Sequence, residues 1–246
     1  IRAQWYVQDL NDIEFILKSC PQQRQTLLFS ATIPSTIEKL AQKYLHNPVK
    51  VIATKDVDPS KLKQMYYDVP RNLKISLLVH LLQKETAQLV MVFCNTRRST
   101  DMVVKTLKSA QIKAIAIHGG LAQNKRNKTL DLFHHGQVEV LVCTDVAARG
   151  LHIENVTHIY NYDLPHDPTN YVHRIGRTAR AGKEGIVINL LCDYDHDNFS
   201  KINRENRSFK IEKIALPYIQ KIEVKQEKRE ETHFDKFKKR KKFSRF

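Results

Sequence analysis

Between residues 171 and 182 the chain reads Tyr171-Val172-His173-Arg174-Ile175-Gly176-Arg177-Thr178-Ala179-Arg180-Ala181-Gly182, three arginines in seven residues threaded with glycines. Guanidinium groups stay charged and match phosphate oxygens bidentately, so such an array can clamp a transferring phosphoryl group and stabilise the charge that develops on it. A spacing of three predicts that Arg174, Arg177 and Arg180 share one side of a helical turn, with Gly176 and Gly182 admitting close backbone approach. The plainer reading is a basic surface helix making ordinary salt bridges. Against it, a helix interrupted by glycines is poor design unless a ligand requires it.

A second segment lies upstream, Leu141-Val142-Cys143-Thr144-Asp145-Val146-Ala147-Ala148-Arg149-Gly150-Leu151-His152-Ile153. Its apolar strand runs out at Thr144-Asp145, which sets a hydroxyl, a carboxylate and free amides at a sheet edge where doubly wound folds bind ligands. The alternative is a strand followed by an ordinary capped turn. His134-His135 and the group Asp193, Asp195, His196 and Asp197 offer metal-ligand atoms, but exposed loop and helix-cap roles account for them more simply, and no metal site is assigned.

The elements that must position these segments follow from periodicity. Apolar runs of buried-strand type alternate with amphipathic helices: strand Leu62 to Val69, a helix carrying Leu73, Leu77, Leu78, Leu81 and Leu82, strand Leu89 to Cys94, helix Ser99 to Ser109, and strand Lys113 to Ile117. Helix Gln123 to His135, strands Val138 to Cys143 and Thr157 to Asn161, helix Thr169 to about Ile175 and strand Gly185 to Leu191 complete the series. That alternation predicts an α/β fold, a parallel sheet covered by helices on both faces. Before it, a helix over Asn11 to Ser19, a buried-type strand over Thr26 to Ser30 and a helix over Ser35 to about His46 cannot close a sheet by themselves. Residues 1–53 therefore read as the tail end of a first domain, 54–61 as a polar, proline-bearing linker and 62–217 as a second domain. Residues 218–246 carry 11 Lys plus Arg against 5 Asp plus Glu, interleaved with Phe234, Phe237, Phe243 and Phe246, and read as a disordered basic tail able to hold phosphates and stack on unpaired bases.

The whole chain has 246 residues with 41 Lys plus Arg against 26 Asp plus Glu, a formal charge of +15, and 41% hydrophobic residues. A core of that size excludes wholesale disorder and a small disulfide scaffold, and the charge calls for a polyanionic partner, nucleic acid before an anionic membrane face. Cys20, Cys94, Cys143 and Cys192 form no CxxC pair and read as reduced and mostly buried. No apolar run approaches the roughly 20 residues that span a bilayer, and Ile1 to Gln8 lack a leader pattern, so a cytoplasmic placement is expected.

The two segments, in this order, resemble motifs V and VI of superfamily 2 helicases, and His173 at the head of the second points to the DEAD-box branch. Ser30-Ala31-Thr32 is similar to motif III, Val92-Phe93-Cys94-Asn95-Thr96 to motif IV, and His118-Gly119-Gly120-Leu121 with Gln123 and Arg126 to motif IVa. The resemblance runs from about Asn11 to Leu191. It implies a RecA-like second helicase domain, preceded by the end of a first RecA-like domain bearing motif III. It further implies that Arg177 and Arg180 act as arginine fingers on the γ-phosphate of ATP, that His173 and Arg174 join the interdomain contact network, and that Gly150 and position 152 lie at the nucleotide. Most DEAD-box proteins carry an aspartate at that position for the ribose; His152 replaces it here. By the same resemblance Thr96, Gly119, Arg126 and Thr144 contact RNA phosphates, and Ser30, Thr32, Asp145 and Arg149 couple the domains. Backbone contacts of this kind, with 2′-hydroxyls favouring RNA over DNA, position a strand without reading its sequence.

ATP and Mg²⁺ are the implied cofactors, held mainly by the first domain. RNA, that first domain and an RNA-processing protein are the implied partners, and the context from Arg149 to Pro165 is similar to the degradosome-associated bacterial branch. The chain contains no GxxxxGK[ST] phosphate loop, no Asp-Glu-Ala-Asp and no Gln-bearing adenine motif. It is thus expected to be a fragment or a natural truncation, inactive as an ATPase by itself. Two other readings stay open: a truncated, non-catalytic RNA-binding module, and a DNA helicase of the same superfamily, which His173 disfavours.

Overall fold

The computed structural model describes residues 10–29, 35–51, 61–85, 89–148, 151, 153, 156–179 and 184–222. The chain forms two compact units, Ile1–Thr54 and Lys55–Phe246. In the first, α1 (Leu10–Ser19) and α2 (Ser35–Tyr44) are amphipathic helices, and Lys43 of α2 donates to Glu14 of α1 at 3.0 Å. The strand expected at Thr26 to Ser30 is not formed over residues 26–29, where Leu27 is 67% and Phe29 89% exposed. A strand needs a ladder partner for its N–H and C=O groups, and the described residues of this unit include no other strand. Ser30 and Thr32 lie outside the described residues.

The second unit is built on seven strands: β1 (Leu62–Asp68), β2 (Val90–Phe93), β3 (Ala114–Ile117), β4 (Val140–Cys143), β5 (His158–Asn161), β6 (Gly185–Leu191) and β7 (Ile211–Ile214). They pair in the order β3-β4-β2-β5-β6-β1-β7, every pairing parallel. The connecting helices are α3 (Lys74–Lys84), α4 (Arg97–Ser109), α5 (Gln123–His134), α6 (Asp145–Ala148), α7 (Pro168–Ile175) and α8 (His196–Glu205). This is the helix-covered parallel sheet that the alternating pattern predicted.

Strand side chains alternate between two cores, as the period of two demands. Val90, Val92, Val140, Val142, Ile188 and Leu190 share one with Leu77, Leu78 and Leu81 of α3 and Val103 and Leu107 of α4. Met91, Phe93, Leu141, Cys143, Ile159 and Val187 share the other with Phe133 of α5, Tyr171 of α7 and Ile202 of α8. Connections that step towards β3 thus pass over one face and those that step back pass over the other, as a single crossover hand requires. All seven strands point their carboxyl ends to one edge.

Among the described residues, α6, α8 and β7 escaped the sequence reading. Helix α6 has four residues, α8 offers only Phe199 and Ile202 as apolar contacts, and β7 is a short Ile-Glu-Lys-Ile edge strand. Beyond β7, Ile219 and Ile222 pack against the α3-side core and the Ile222 amide donates to Ser76 Oγ at 3.0 Å. The described start of the expected tail therefore lies on the domain; residues 223–246 are outside the described set. None of the four cysteines is bonded to another, and burial pushes the Cys94 and Cys143 thiols up, so both stay protonated.

Candidate functional site

The carboxyl edge gathers what the two sequence segments carry. Asp145 opens α6 directly after β4, and Arg174 near the end of α7 reaches it with a two-pronged ion pair: Nε donates to Oδ1 at 2.6 Å and Nη2 to Oδ2 at 2.8 Å. The remaining Arg174 donors are also used. Nη1 bonds the Asn161 side-chain oxygen at 3.0 Å and the Asp163 carbonyl at 2.5 Å, while Nη2 also bonds the Asn95 side-chain oxygen at 3.0 Å. The guanidinium stacks over the Phe93 ring, 5.0 Å from its centroid, and Arg174 is 1% exposed. A buried cation of this kind is tolerated because every donor meets an acceptor and a carboxylate answers the charge.

The expectation of one helical side is corrected for Arg174 and Arg177, since the helix ends between them. Helix α7 begins at an Asp167 cap, whose carboxylate accepts from the Thr169 amide at 2.9 Å, with Pro168 in its first turn, and it ends at Ile175. Arg174 is the last cation inside it and turns inward. Arg177 lies past the helix end, donates to the Leu151 carbonyl at 2.8 Å, and lines a shallow cleft with Phe93, Asp145, Ala148, Asn170, His173 and Arg174. Thr178 then pins the segment: its hydroxyl donates to the Val156 carbonyl at 2.5 Å, in a bridge that also pairs the two backbones. Ala179 follows in the left-handed region at φ 55°. The close approach demands glycine at 185, since a Cβ there would sit 2.5 Å from Thr178 Oγ1 and 2.8 Å from the Ala179 nitrogen.

Of the expected nucleic-acid contacts, Thr96, Gly119 and Thr144 follow β2, β3 and β4, three neighbouring strands, so the topology sets them along one stretch of the edge. Thr96 caps α4: its hydroxyl accepts from the Ser99 amide at 3.0 Å, and Ser99 Oγ reciprocates to the Thr96 amide at 3.3 Å. Gly119 lies under Arg97, whose Nη2 is 3.4 Å from where a Cβ would be. His118 orients this turn. Its Nδ1 accepts from the Gly120 amide at 3.2 Å, which leaves the proton on Nε2 to donate to Asp101 at 3.0 Å. Arg126, in the first turn of α5, donates to Gln123 at 3.3 Å. Arg180, Arg149, Gly150 and His152 lie outside the described residues.

Sequence reasoning missed the buried polar residues that carry this edge. Lys74, 1% exposed, donates to Asp195 Oδ2 at 2.6 Å, lies 3.8 Å from Asp163 Oδ1, and sits over the Tyr194 and Tyr162 rings. A chain of side chains leaves Arg174 under α7: Asn161 donates to Asn189 at 2.8 Å, Asn189 to the Tyr171 hydroxyl at 3.2 Å, and Tyr171 to Gln64 at 2.9 Å. Burial raises the Tyr171 pKa, against the lowering effects of Asn189 and Arg174, so it stays a neutral donor. The available signal was Asn161 and Asn189, two amides in otherwise apolar strands, which pair in register on β5 and β6. Among the described residues no group of three or more His, Cys, Asp or Glu could hold a metal ion, and no helix is long and apolar enough to cross a membrane.

Residues 73–182 match the helicase conserved C-terminal domain. The chain is 41% identical over 211 residues to the DEAD-box ATP-dependent RNA helicase CshA of Bacillus licheniformis, covering 85% of this chain and 43% of that protein. It thus spans less than half the length of the curated relatives it matches. Among solved structures, the Escherichia coli DEAD-box protein SrmB, bound to regulator of ribonuclease activity A, is 35% identical with a TM-score of 0.58, over 68% of this chain and 98% of that one. Saccharomyces cerevisiae Dbp5 L327V bound to RNA and ADP BeF3 is 29% identical with a TM-score of 0.74, over 85% and 56% of the two chains.

Proposed function

The chain belongs to the DEAD-box helicases and carries their conserved C-terminal domain, and from that premise we propose that it is the RNA-gripping, arginine-supplying half of an ATP-dependent RNA helicase. The observation that carries the reading is the Arg174–Asp145 fork, which ties the end of β4 to α7 and leaves Arg177 lining the cleft beside it. In this reading Arg177 and Arg180 stabilise the charge on the γ-phosphoryl group, which arginine fingers do in other systems by about 10³ to 10⁵ in rate. Arg174 holds the platform that carries Arg177, and the coupling of nucleotide to RNA is assigned in this reading to His173, Asp145, Arg149, Ser30 and Thr32.

The chemistry of the cleft wall suits a phosphate group, through the Arg177 guanidinium, while adenine, ribose and Mg²⁺ contacts fall in this reading to Gly150, His152 and a phosphate-loop domain. Thr96, Gly119, Arg126 and Thr144 hold consecutive RNA phosphates, so affinity is steeply salt-dependent and nearly blind to base sequence. ATP and RNA both favour the closed two-domain state, which couples their affinities. Relatives are named as RNA helicases, and the Dbp5 and SrmB structures hold RNA and a protein regulator respectively; RNA and an RNA-processing protein are proposed partners here on that basis.

The test is ATP hydrolysis by the pure chain and by the chain mixed with a phosphate-loop-bearing first domain from a CshA relative. RNA-stimulated turnover only in the mixture is expected. Robust turnover by the chain alone, or none in a mixture that demonstrably associates, contradicts the proposal. RNA binding without any reconstituted turnover favours the non-catalytic module.

A further inference from the structure

The same edge holds a second buried cation, and its connections lead to the RNA side of the site. Lys74 heads α3, and its ammonium is enclosed by Asp195 at 2.6 Å, Asp163 at 3.8 Å, Cys192 Sγ at 3.5 Å and the Tyr194 hydroxyl at 3.4 Å. Asp195 spends its other contacts on Leu164 and on Cys192, whose thiol also donates to Oδ2 at 3.2 Å. Oδ1 accepts from the Leu164 amide at 3.3 Å and Oδ2 from the Cys192 amide at 3.2 Å, so the pair clamps the segment after β5 to the end of β6. That segment contains Asp163, which faces two ways. Its Oδ2 accepts from the Asn95 amide at 3.0 Å and the Ser99 hydroxyl at 3.3 Å, the two residues that flank Thr96 in the cap of α4. Its carbonyl accepts from Arg174. Asn95 closes the circuit by donating to the Leu164 carbonyl at 2.8 Å while accepting from Arg174 Nη2 at 3.0 Å.

We infer that Lys74, through Asp195 and Asp163, is a positioning residue that sets the Asn95–Thr96 loop against Arg174, and hence fixes the geometry with which the domain grips an RNA phosphate at Thr96. The inference rests on the RNA-binding reading above and names a residue outside the motifs from which that reading came. The physical reason is charge. With Lys74 in place Asp163 is a half-neutralised carboxylate held at a fixed height between two elements. Without it the Asp195 and Asp163 carboxylates lose the ammonium they share, and Asp163 turns towards water. That withdraws the acceptor that fixes the Asn95 amide. Lys74 reaches the loop through Asp163 and, by way of Asp195, through Leu164, whose carbonyl accepts from Asn95.

A double-mutant cycle reads this out. RNA dissociation constants for a single-stranded oligonucleotide are measured on the full chain for wild type, Lys74→Met, Thr96→Ala and the double variant, below the melting temperature of each. Amide hydrogen exchange of the free proteins is recorded alongside. Lys74→Met is expected to weaken RNA binding about tenfold in the wild-type background but less than about twofold once Thr96 is gone, a coupling of the size seen for residues of one network. The Asn95 amide should lose protection while the β3 and β4 amides keep theirs, a local opening that general loss of stability would not produce. Equal losses in both backgrounds, or an Asn95 amide as protected as in wild type, overturn the inference. Should Lys74→Met fail to fold, Asp195→Asn takes its place in the same cycle with the same expected outcomes. A wild-type chain that binds no RNA overturns the functional reading instead, and the exchange measurement still decides whether Lys74 positions the loop.

Discussion

Under α3 and α4 the sheet presents Val90, Val92, Val142, Ile188 and Leu190, an apolar surface met by leucines and valines. Under α7 the same sheet presents Gln64, Asn161 and Asn189 among its apolar residues, and Tyr171 and Arg174 complete their hydrogen bonds. The first face follows from non-directional burial, which tolerates any well-filled arrangement of similar volume. The second requires particular partners at particular angles. It thereby fixes where α7 sits, and with it the direction in which the chain leaves the helix towards Arg177. The polar face thus gives up some stability for position, and it lies beneath the segment whose chemistry depends on position.

The largest expected effect breaks the polar face at its centre. Arg174→Met leaves the Asp145 carboxylate, two amide oxygens and the Asp163 carbonyl without their donor, and should cost about 3 to 5 kcal/mol in urea unfolding. On the apolar face, Leu78→Ala should cost about 2 to 5 kcal/mol by cavity formation. The difference lies in function: at a temperature where both are folded, the Leu78 variant should retain wild-type RNA affinity and the Arg174 variant should not. Equal RNA affinity in the two would remove the distinction between the faces.

Gly185→Ala sharpens the comparison at the far end of the arginine segment. The added methyl meets Thr178 and the Ala179 backbone, so a loss of about 1 to 3 kcal/mol is expected from overpacking, measured by thermal melting. Stability equal to wild type would show that the segment after α7 is not held against β6.

A smaller effect comes from the opposite edge of the apolar face. His158, at the start of β5, lies 3.5 Å from Glu85, which also accepts from the Tyr160 hydroxyl. Burial lowers the His158 pKa more than Glu85 raises it. The unfolded chain therefore takes up a proton more readily than the fold as pH drops through about 6.5, and this histidine's contribution to stability is present above that pH and lost below it. The melting temperature should fall between pH 7.5 and 5.5, and His158→Gln should reduce that fall. A fall of unchanged size in the variant would exclude His158 as its source.

What could be read from the sequence follows the same division. The strands that carry the site and the helices α3, α4, α5 and α7 were legible because burial writes a period of two or 3.6 into the chain. Thr144 was placed at the sheet edge because it stands just past an apolar run; Thr96 and Gly119 were named only through the resemblance of their segments to helicase motifs, and the topology sets them after neighbouring strands. Lys74, Asp163 and Asp195 were not legible. Lys74 and Asp195 are 121 residues apart, and no local pattern distinguishes a lysine ahead of a leucine stripe from a solvated one. Arg174 was legible as a cation but not as a buried one, because its spacing from Arg177 suggested a continuous helix and α7 ends between them. The apolar run Thr26 to Phe29 was misread as a buried strand for the opposite reason: its composition is strand-like, and its pairing partners are not among the described residues.

The central claim is that Arg177 acts on a phosphoryl group delivered by another domain, while Arg174 only holds the platform. Its most direct test is RNA-stimulated ATP turnover by the chain reconstituted with a phosphate-loop domain, comparing Arg177→Ala with wild type. Loss of the hydrogen bond to Leu151 should cost about 1 kcal/mol of stability and leave RNA affinity within about twofold, whereas turnover should fall by about 10³ or more. Turnover within about tenfold of wild type, with the variant folded and RNA bound, would contradict the account.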